Sequence, residues 1–355
     1  MDRYLATLDH ETLLVRRGRR SGLFTVVAVH STVRGAALGG CRLWHYADSR
    51  EAVRDALRLS RAMTFKSAVA GLPLGGGKGV IMAPDPASPV RRGLRADVLR
   101  DFGDAVQSLD GAYMTAEDVG TSARDMETIA ASTKHVTGLS RKRGGSGDPS
   151  PWTALGVETA IRVSCERVFG SPSLKGRTIV LAGLGHVGHR LAVGCAKGGA
   201  KLLVTDIDRD KRELARDLGA RWIEPDTALT AAADVFAPCA LGGVLDHESA
   251  GLVGAPIVAG AANNQLANDA VAEVLAARDV LWAPDFVANA GGIINISVEL
   301  EPAGYDPRRA RVLVRGIGDT LRRILDDAHA SRTTPLAAAM SLARERLAGG
   351  GASDL

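Results

Sequence analysis

The sequence predicts an α/β protein of two domains, and three observations support that fold class. The chain has 355 residues, enough to bury two hydrophobic cores. Short apolar runs alternate with helical patterns from residue 177 onward, as they do where helices connect parallel strands. Arg141–Pro151 is basic and then rich in Gly, Ser and Pro, a composition typical of a domain boundary. We therefore expect one domain over residues 1–142, rejoined by a C-terminal helix at 325–355, and a second over 143–324.

The first domain is predicted to combine strands and helices. Leu23–His30 is rich in β-branched and apolar residues, which indicates a strand. Asp48 or Ser49 can cap a helix that extends to about Met63, because apolar residues recur there at helical spacing. The end of the chain is also predicted to be helical, over about 307–327 and 335–347.

The second domain is predicted to begin with a strand, a glycine turn and a helix. Arg177–Ala182 is a short aliphatic run typical of a buried parallel strand. Gly183, Gly185 and Gly188 follow it in the spacing G-x-G-x-x-G, and His189–Lys197 has a helical pattern. In a dinucleotide-binding turn these glycines make the tight turn, admit a pyrophosphate and let helix pack on strand. The alternative is a glycine-rich turn in an unrelated α/β protein.

An acidic residue at the end of the next strand favours NAD as the cofactor. Lys201–Thr205 is the strand, and Asp206 lies 18 residues beyond Gly188, where an acid can bind the ribose hydroxyls. A carboxylate there would repel the 2′-phosphate of NADP. Three nearby basic residues weaken that preference: Arg209, Lys211 and Arg212.

Composition excludes several other classes of protein. Hydrophobic residues make up 46% and charged residues 24%, as in globular proteins, and the net charge is only +4. The basic cluster Arg16–Arg20 is interpreted as a solvated turn, because no nucleic-acid motif accompanies it. The four cysteines fit no zinc site, and neither a signal pattern nor a membrane-length apolar run is present. We expect a cytoplasmic protein that binds no metal, membrane or nucleic acid.

Two lysines are candidates for chemistry. Gly71–Gly79 is not a phosphate loop, because Leu72 stands where that pattern needs Gly and Gly79 where it needs Ser or Thr. Instead, its glycines would let backbone pack closely around Lys78, with Lys66 twelve residues earlier as a second cation. Such a lysine suits a general base or a stabiliser of a carbonyl oxygen.

Carboxylates and amides follow in three further segments. Thr115–Gly120 contains Glu117 and Asp118; one of these acids could exchange protons with a substrate, or both could be solvated loop residues. Val258–Gln265 and Pro284–Gly292 place amides after predicted strands. These amides could orient a carboxamide or carboxylate, or cap a helix.

Together these segments resemble the leucine, valine and phenylalanine dehydrogenases, which are related to glutamate dehydrogenase. The likeness covers nearly the whole chain, in nine motifs that occur in the same order. They are Leu38–Arg42, Met63–Lys66, Gly75–Lys78, Thr115–Thr121, Gly144–Pro151, Gly183–Gly188, Ala237–Gly242, Gly260–Asn264 and Pro284–Gly292. The resemblance implies a homo-oligomer with an N-terminal domain for substrate binding and oligomerisation. It also implies a Rossmann-type NAD-binding domain and a cleft between the two.

The resemblance also implies roles for individual residues. Lys66 would bind the substrate carboxylate, Lys78 would activate water and stabilise developing charge, and Asp118 would shuttle protons to and from the amine. Further substrate-binding residues would be Leu38, Gly39, Gly40, Met63, Ala116, Asn264, Ile293 and Ile296. Cofactor-binding residues would be Thr153, Gly183, Gly185, His186, Val187, Gly188, Asp206, Ala237, Pro238, Cys239, Asn263 and Asn289.

The implied reaction is the reversible, NAD-dependent oxidative deamination of an L-amino acid to a 2-oxo acid and ammonia. Its side-chain pocket would be lined by Leu38, Ala116, Ile293 and Ile296, which are aliphatic and disfavour glutamate. Leucine-type members tend to have valine at the last two positions. The bulkier isoleucines therefore predict valine or isoleucine ahead of leucine.

Two alternatives and two departures remain at this stage. The chain could be an aromatic amino acid dehydrogenase acting on phenylalanine or tryptophan, or a non-catalytic NAD-binding sensor. Cys41 stands where the family usually has Thr, and Ser67 where many members have Asn. Neither change removes a charge, but both could alter the polarity of the pocket or the position of Lys66.

Overall fold

A computed structural model of the chain describes residues 8–83, 90, 92–240 and 242–350. The chain divides into two compact units. The first comprises Met1–Asp148, Ile296–Asp306 and Ala343–Leu355, and the second Pro149–Asn295 and Pro307–Leu342. From the sequence we predicted that the first domain ends at residue 142 and that the chain rejoins it at residue 325. The two compact units have different bounds, and the domain limits stay a prediction. Parts of the predicted domains, at 1–7 and 351–355, lie outside the described residues.

The first unit is built on a five-stranded sheet with the order β1-β2-β4-β3-β5. Strand β3 runs parallel to β4 and β5, whereas β2 is antiparallel to β1 and β4. The strands are β1 (Thr12–Arg17), β2 (Phe24–Ser31), β3 (Ala37–His45), β4 (Gly75–Ala83) and β5 (Tyr113–Glu117). Its helices are α1 (Ser49–Val69), α2 (Arg92–Gln107) and α3 (Ala123–Ile129). The predicted strand at 23–30 is confirmed by β2.

Helix α1 begins where the sequence predicted and ends later. The side chain of Asp48 accepts a hydrogen bond from the backbone of Glu51, which caps the helix. Buried residues continue beyond Met63 to Val69, so the helix keeps a packed face for two more turns than predicted. It ends before Gly71, which adopts a positive φ of 73°.

The two faces of the sheet pack against different helices. Val27 and Val29 belong to the core with Phe102 of α2, whereas Val26 and Ala28 belong to the core with α1. This alternation follows from the two-residue period of a strand. Lys78 is paired with Ala28 across β2 and β4, so its side chain lies on the α1 side of the sheet.

The second unit is built on a six-stranded parallel sheet with the order β11-β10-β9-β6-β7-β8. The strands are β6 (Thr178–Ala182), β7 (Lys201–Thr205), β8 (Arg221–Trp222), β9 (Val235–Pro238), β10 (Ile257–Val258) and β11 (Leu281–Trp282). Strands β6 and β7 confirm the strands predicted at 177–182 and 201–205. From the central strand β6, the strands β7 and β8 follow on one side of the sheet, and β9, β10 and β11 follow on the other side. The order of the strands therefore reverses between β6 and β9, which is the switch point of the sheet. Ligands of such sheets bind beyond the carboxyl ends of the strands at that switch point.

Helices connect these strands and close the chain. They are α4 (Ser150–Phe169), α5 (His186–Lys197), α6 (Arg212–Asp217), α7 (His247–Ala250), α8 (Val271–Ala276), α9 (Asp285–Ala288), α10 (Gly291–Glu299), α11 (Pro307–Arg315), α12 (Ile317–Ser331) and α13 (Pro335–Ala348). The predicted helices near the C-terminus are confirmed, with a break at Gly316. None of the described helices is long and apolar enough to cross a bilayer.

Candidate active site

The first unit brings Lys78 and Asp118 into direct contact. Lys78 lies on β4 with only 5% of its surface exposed, and its Nζ donates a hydrogen bond of 2.6 Å to Oδ2 of Asp118. Asp118 follows directly after β5. Burial alone would raise the pKa of this carboxyl, but the charges of Lys78 and Arg42 outweigh it and lower the pKa below its ordinary value. The site therefore holds a buried cation against an ionised carboxylate.

The glycines around this pair are explained by close approach of the backbone. A Cβ at Gly39 would overlap the carbonyl oxygen of Gly77, and one at Gly40 would lie 2.7 Å from Cβ of Asp118. A Cβ at Gly77 would lie 2.5 Å from the ring of Tyr113. Side chains at these positions would push the strands apart and move the carboxylate away from Lys78.

The sequence did not single out several residues that hold this arrangement. The hydroxyl of Tyr113 donates to the carbonyl of Gly39 at 2.7 Å, within the core. The hydroxyl of Thr121 accepts from the backbone of Asp118 at 2.9 Å and lies 2.8 Å from the carbonyl of Cys41. Thr121 is the last residue of the family motif Thr115–Thr121, so the motif could have indicated it as a site residue. Tyr113 lies outside every motif, and nothing in the sequence indicates its role.

The other predicted substrate-binding residues of this unit lie on the same elements. Met63 and Lys66 are half-buried on α1, three residues apart and therefore on one side of the helix. Leu38 and Ala116 are buried on β3 and β5. Ala116 pairs with Gly40, so it shares a face of the sheet with Leu38.

Both departures from the family pattern are accommodated by packing. Cys41 is fully buried on the sheet face opposite Lys78, in the core with Phe102. Its burial raises the pKa of the thiol well above its ordinary value. Ser67 is also fully buried and donates to the carbonyl of Gly75 at 3.3 Å.

In the second unit, the glycine turn has the geometry of a phosphate cradle. Gly183 has a φ of 114°, which only glycine adopts readily, and a Cβ there would press on the backbone at Cys239 and Ala240. A Cβ at Gly188 would overlap the carbonyl oxygen of Gly183, so the third glycine lets α5 pack against the turn. A Cβ at Gly185 would meet nothing within 4 Å. That open space in front of α5, whose backbone N–H groups face it, fits a pyrophosphate.

Asp206 lies at the end of β7, where the sequence placed it. Its Oδ2 accepts from the backbone of Leu184 at 2.7 Å and from Nζ of Lys211 at 3.0 Å. Burial would raise the pKa of Asp206, but hydrogen bonds from Asp208, Leu184 and Lys211 lower it overall. An ionised carboxylate therefore sits beside the first turn, as ribose binding requires.

The two amide loops are joined by a pair of predicted asparagines and held by further residues that the sequence did not single out. The side chain of Asn289 donates to Oδ1 of Asn263 at 2.9 Å, which joins the two loops. Gln265 is fully buried, receives a hydrogen bond from the indole of Trp282, and has its backbone N–H bound by Asp285.

The remaining predicted residues lie at strand ends, in loops and on helices, and all but Ile296 belong to the second unit. Asn263 and Asn264 are exposed, and Asn264 has a φ of 51°. Ala237 and Pro238 end β9, and Cys239 follows them. His186, Val187 and Thr153 lie in the first turns of α5 and α4. Ile293 and Ile296 are buried three residues apart on α10. Within the described ranges, no group of three acidic, His or Cys side chains could hold a metal ion.

Comparison with known proteins agrees with this architecture. Residues 12–135 match the family profile described as "Glu/Leu/Phe/Val dehydrogenase, dimerisation domain", and residues 204–348 match "Glutamate/Leucine/Phenylalanine/Valine dehydrogenase". The leucine dehydrogenase of Thermoactinomyces intermedius is 41% identical over 97% of this chain and 92% of its own. The valine dehydrogenase of Streptomyces virginiae is 43% identical over 95% of this chain and 94% of its own.

The chain belongs to the Glu/Leu/Phe/Val dehydrogenase family. It is an amino acid dehydrogenase, an oxidoreductase of a family whose members depend on NAD(P). A solved structure supports the fold as well: the L-tryptophan dehydrogenase of Nostoc punctiforme superposes with a TM-score of 0.83 at 36% identity, covering 98% of both chains. The leucine and valine dehydrogenases among these relatives support a branched-chain substrate better than an aromatic one, although an L-tryptophan dehydrogenase is also a relative.

Proposed function

We propose that the chain catalyses the NAD-dependent oxidative deamination of a branched-chain L-amino acid to its 2-oxo acid and ammonia. The observation that carries this proposal is the hydrogen bond between Lys78 and Asp118. The reaction needs one group that exchanges protons with an amine and one that stabilises charge on an attacking water. A buried lysine bonded to an ionised carboxylate supplies both, and a non-catalytic sensor would have no need of the pair.

Each charged residue has a role in the proposed reaction. Lys66 binds the substrate carboxylate, and Asp118 accepts a proton from the substrate amine. The glycine turn and Asp206 would hold NAD, which would supply the acceptor for the hydride from Cα. Lys78 then assists the attack of water on the resulting imine and stabilises the charge that develops on oxygen. Asp118 returns a proton to the nitrogen as ammonia leaves.

The preference for NAD over NADP is supported by the partners of the basic residues near Asp206. Lys211 bonds to Asp206 itself. Arg212 and Arg209 both contact the carboxylate of Glu224, at 2.6 Å and 3.5 Å. Each cation that could attract a 2′-phosphate therefore already faces a carboxylate, and the ionised Asp206 would repel the phosphate.

The aliphatic character of the predicted pocket residues supports a branched-chain substrate. Leu38 and Ala116 share a sheet face with Gly40, beside Lys78, and present only carbon. We further propose that Ile293 and Ile296 restrict the length of the substrate side chain, which favours valine and isoleucine over leucine.

We also propose that the chain assembles as a homo-oligomer through its first unit. The profile that matches this region is described as a dimerisation domain. Strand β1 lies at the edge of the sheet, and apolar side chains remain exposed on it and on its neighbour, including Val15 at 52% and Phe24 at 46%. Exposed edge strands of this kind are commonly covered by a partner.

The proposed activity is tested by NADH formation at alkaline pH with a panel of L-amino acids, run in parallel with NADP. Activity on valine, isoleucine or leucine with NAD is the expected result. Activity confined to phenylalanine or tryptophan would be consistent with the proposed mechanism but would reject the proposal of a branched-chain substrate. No activity on any amino acid, with NAD still bound, would reject the proposed reaction.

A further inference from the structure

Arg42 contacts the proposed proton shuttle, Asp118, from the strand next to that of Lys78. It lies on β3, and its Nε donates to Oδ2 of Asp118 at 3.1 Å. Lys78 bonds to that same oxygen at 2.6 Å. Two cations therefore converge on Oδ2, and neither of them bonds Oδ1. Oδ2 is the oxygen that both cations hold, which leaves Oδ1 clear of them to exchange a proton with an amine.

Arg42 is itself held in place from its other end. Its Nη1 donates to Oδ2 of Asp55 on α1 at 2.8 Å. Asp55 also accepts from the hydroxyl of Tyr46 at 2.7 Å and from Arg58 at 2.8 Å. A guanidinium can bridge two carboxylates because its N–H donors are fixed in one plane, whereas a lysine ammonium offers no such planar fork.

The proposed reaction gives a reason for a second cation. In the proposed reaction Lys78 assists the attack of water by exchanging a proton with it, so the charge of Lys78 changes during the cycle. Burial opposes the charge of Arg42, but Asp118 and Asp55 raise the pKa of the guanidinium, which therefore stays charged throughout. Arg42 thus provides a constant positive charge next to Asp118 while the charge of Lys78 varies.

The other titratable groups near Asp118 do not replace this charge. Cys41 on β3 and Tyr113 on β5 interact with Asp118 electrostatically. Burial raises the pKa of each well above its ordinary value, so both are neutral under working conditions. Lys78 and Arg42 are the cations that lower the pKa of Asp118.

We propose that Arg42 is a positioning residue of the deamination reaction, which orients the carboxylate of Asp118 and holds it in the ionised form that accepts the proton of the substrate amine. This inference rests on the proposed function. Arg42 belongs to a motif that the sequence analysis quoted, yet it was assigned no role there. Its partner Asp118 lies 76 residues away, and only the pairing of β3 with β5 brings them together.

The test compares Arg42→Gln and Arg42→Lys with the control Arg58→Gln, which loses a contact to Asp55 but none to Asp118. We expect Arg42→Gln to lower kcat about ten- to hundredfold with little change in KM for the amino acid or in NAD binding. The ¹³C titration of the Asp118 carboxyl, assigned by its loss in Asp118→Asn, should shift to higher pH. Arg42→Lys keeps the charge, so its titration should stay closer to the wild type while its kcat still falls.

The control Arg58→Gln should alter neither kcat nor the titration. The proposal is overturned if Arg42→Gln leaves the Asp118 titration where it is in the wild type, or if Arg58→Gln reproduces its effects. The titration does not depend on turnover. Should the wild type deaminate no amino acid, the proposed function would fail, and the titration would still decide whether Arg42 controls the ionisation of Asp118.

Discussion

The two units differ in the kind of group on which the proposed reaction depends. In the first, the proposed chemistry depends on charged side chains in direct contact, with Lys78 and Arg42 both bonded to Asp118. In the second, proposed cofactor binding depends on glycines that carry no side chain. Gly183 and Gly188 have no room for a Cβ, and Gly185 leaves open space beside the backbone. The first site should therefore be sensitive to loss of charge and the second to added volume.

This difference also separates two kinds of failure. Removing the charge of Lys78 or Asp118 should abolish most of the turnover and leave NAD binding intact. Adding a methyl group to the second should weaken packing or cofactor binding while the charged pair remains. The predictions below test this separation, from the largest expected effect to the smallest.

Replacing Lys78 by alanine should lower the rate of deamination by about a thousandfold or more. The change removes the cation that stabilises charge on the attacking water. NAD affinity, measured by titration, should be unchanged, because the nucleotide turn belongs to the other unit. Lys134→Ala, at an exposed position of the same unit, is the control. Full deamination activity in Lys78→Ala would reject the mechanism.

Alanine at Gly188 and at Gly185 should have opposite consequences. At Gly188 the new Cβ overlaps the carbonyl of Gly183, so we expect a loss of about 2 kcal/mol or more in the free energy of unfolding. At Gly185 the Cβ enters open space, so stability should hold while NAD binding weakens. Chemical denaturation and NAD titration separate the two effects. Equal loss of stability in both variants would contradict the assigned roles.

Asp118→Asn should destabilise the protein by about 1–3 kcal/mol near neutral pH, because Lys78 is left buried without its ionised partner. The pKa of Asp118 is lowered by folding. Its stabilising effect is therefore complete above the ordinary pKa of 3.8 and is lost as the pH falls through the lower, folded value. Denaturation at pH 7 and pH 3 should show the difference shrinking with acid. Asp97→Asn, which removes an exposed ion pair with Arg100, should cost much less at either pH.

The double change Ile293→Val and Ile296→Val should move the ratio of kcat/KM toward leucine by about tenfold relative to valine. Shortening both side chains makes room for roughly one more methylene of substrate. Ile294→Val is the matched control, since Ile294 is equally buried but lies on a different side of α10. An unmoved preference would show that these residues do not set the length of the pocket.

Asp206→Asn should give the smallest effect, about a fivefold rise in the NADP-to-NAD ratio of kcat/KM, or roughly 1 kcal/mol. The amide oxygen can still accept from Leu184, while the charge that would repel a 2′-phosphate is gone. The change also frees Lys211 for the phosphate. Asp208→Asn, two residues further on, should leave the ratio unaltered.

The sequence predicted the backbone structure around the glycine turn well because its determinants are local. Thr178 to Asp206 form a continuous strand, turn, helix and strand, and the packing of Gly183 and Gly188 follows from their place in that segment. The relation between Arg42 and Asp118 was not predictable in this way. It depends on the register of β3 with β5, which are separated in the chain by a long helix, a strand and a second helix. The length of α1 was underestimated because Ser67 and Thr64, which are polar, are buried.

Lys78 occupies a strand that is paired on both sides, with β2 on one edge and β3 on the other. Its backbone is thus among the parts of the first unit that open last, and its amide should exchange with deuterium only through unfolding of the whole sheet. Heat should therefore abolish turnover in the same temperature range in which the first unit unfolds. Loss of activity well below that range would point to the nucleotide turn or the amide loops.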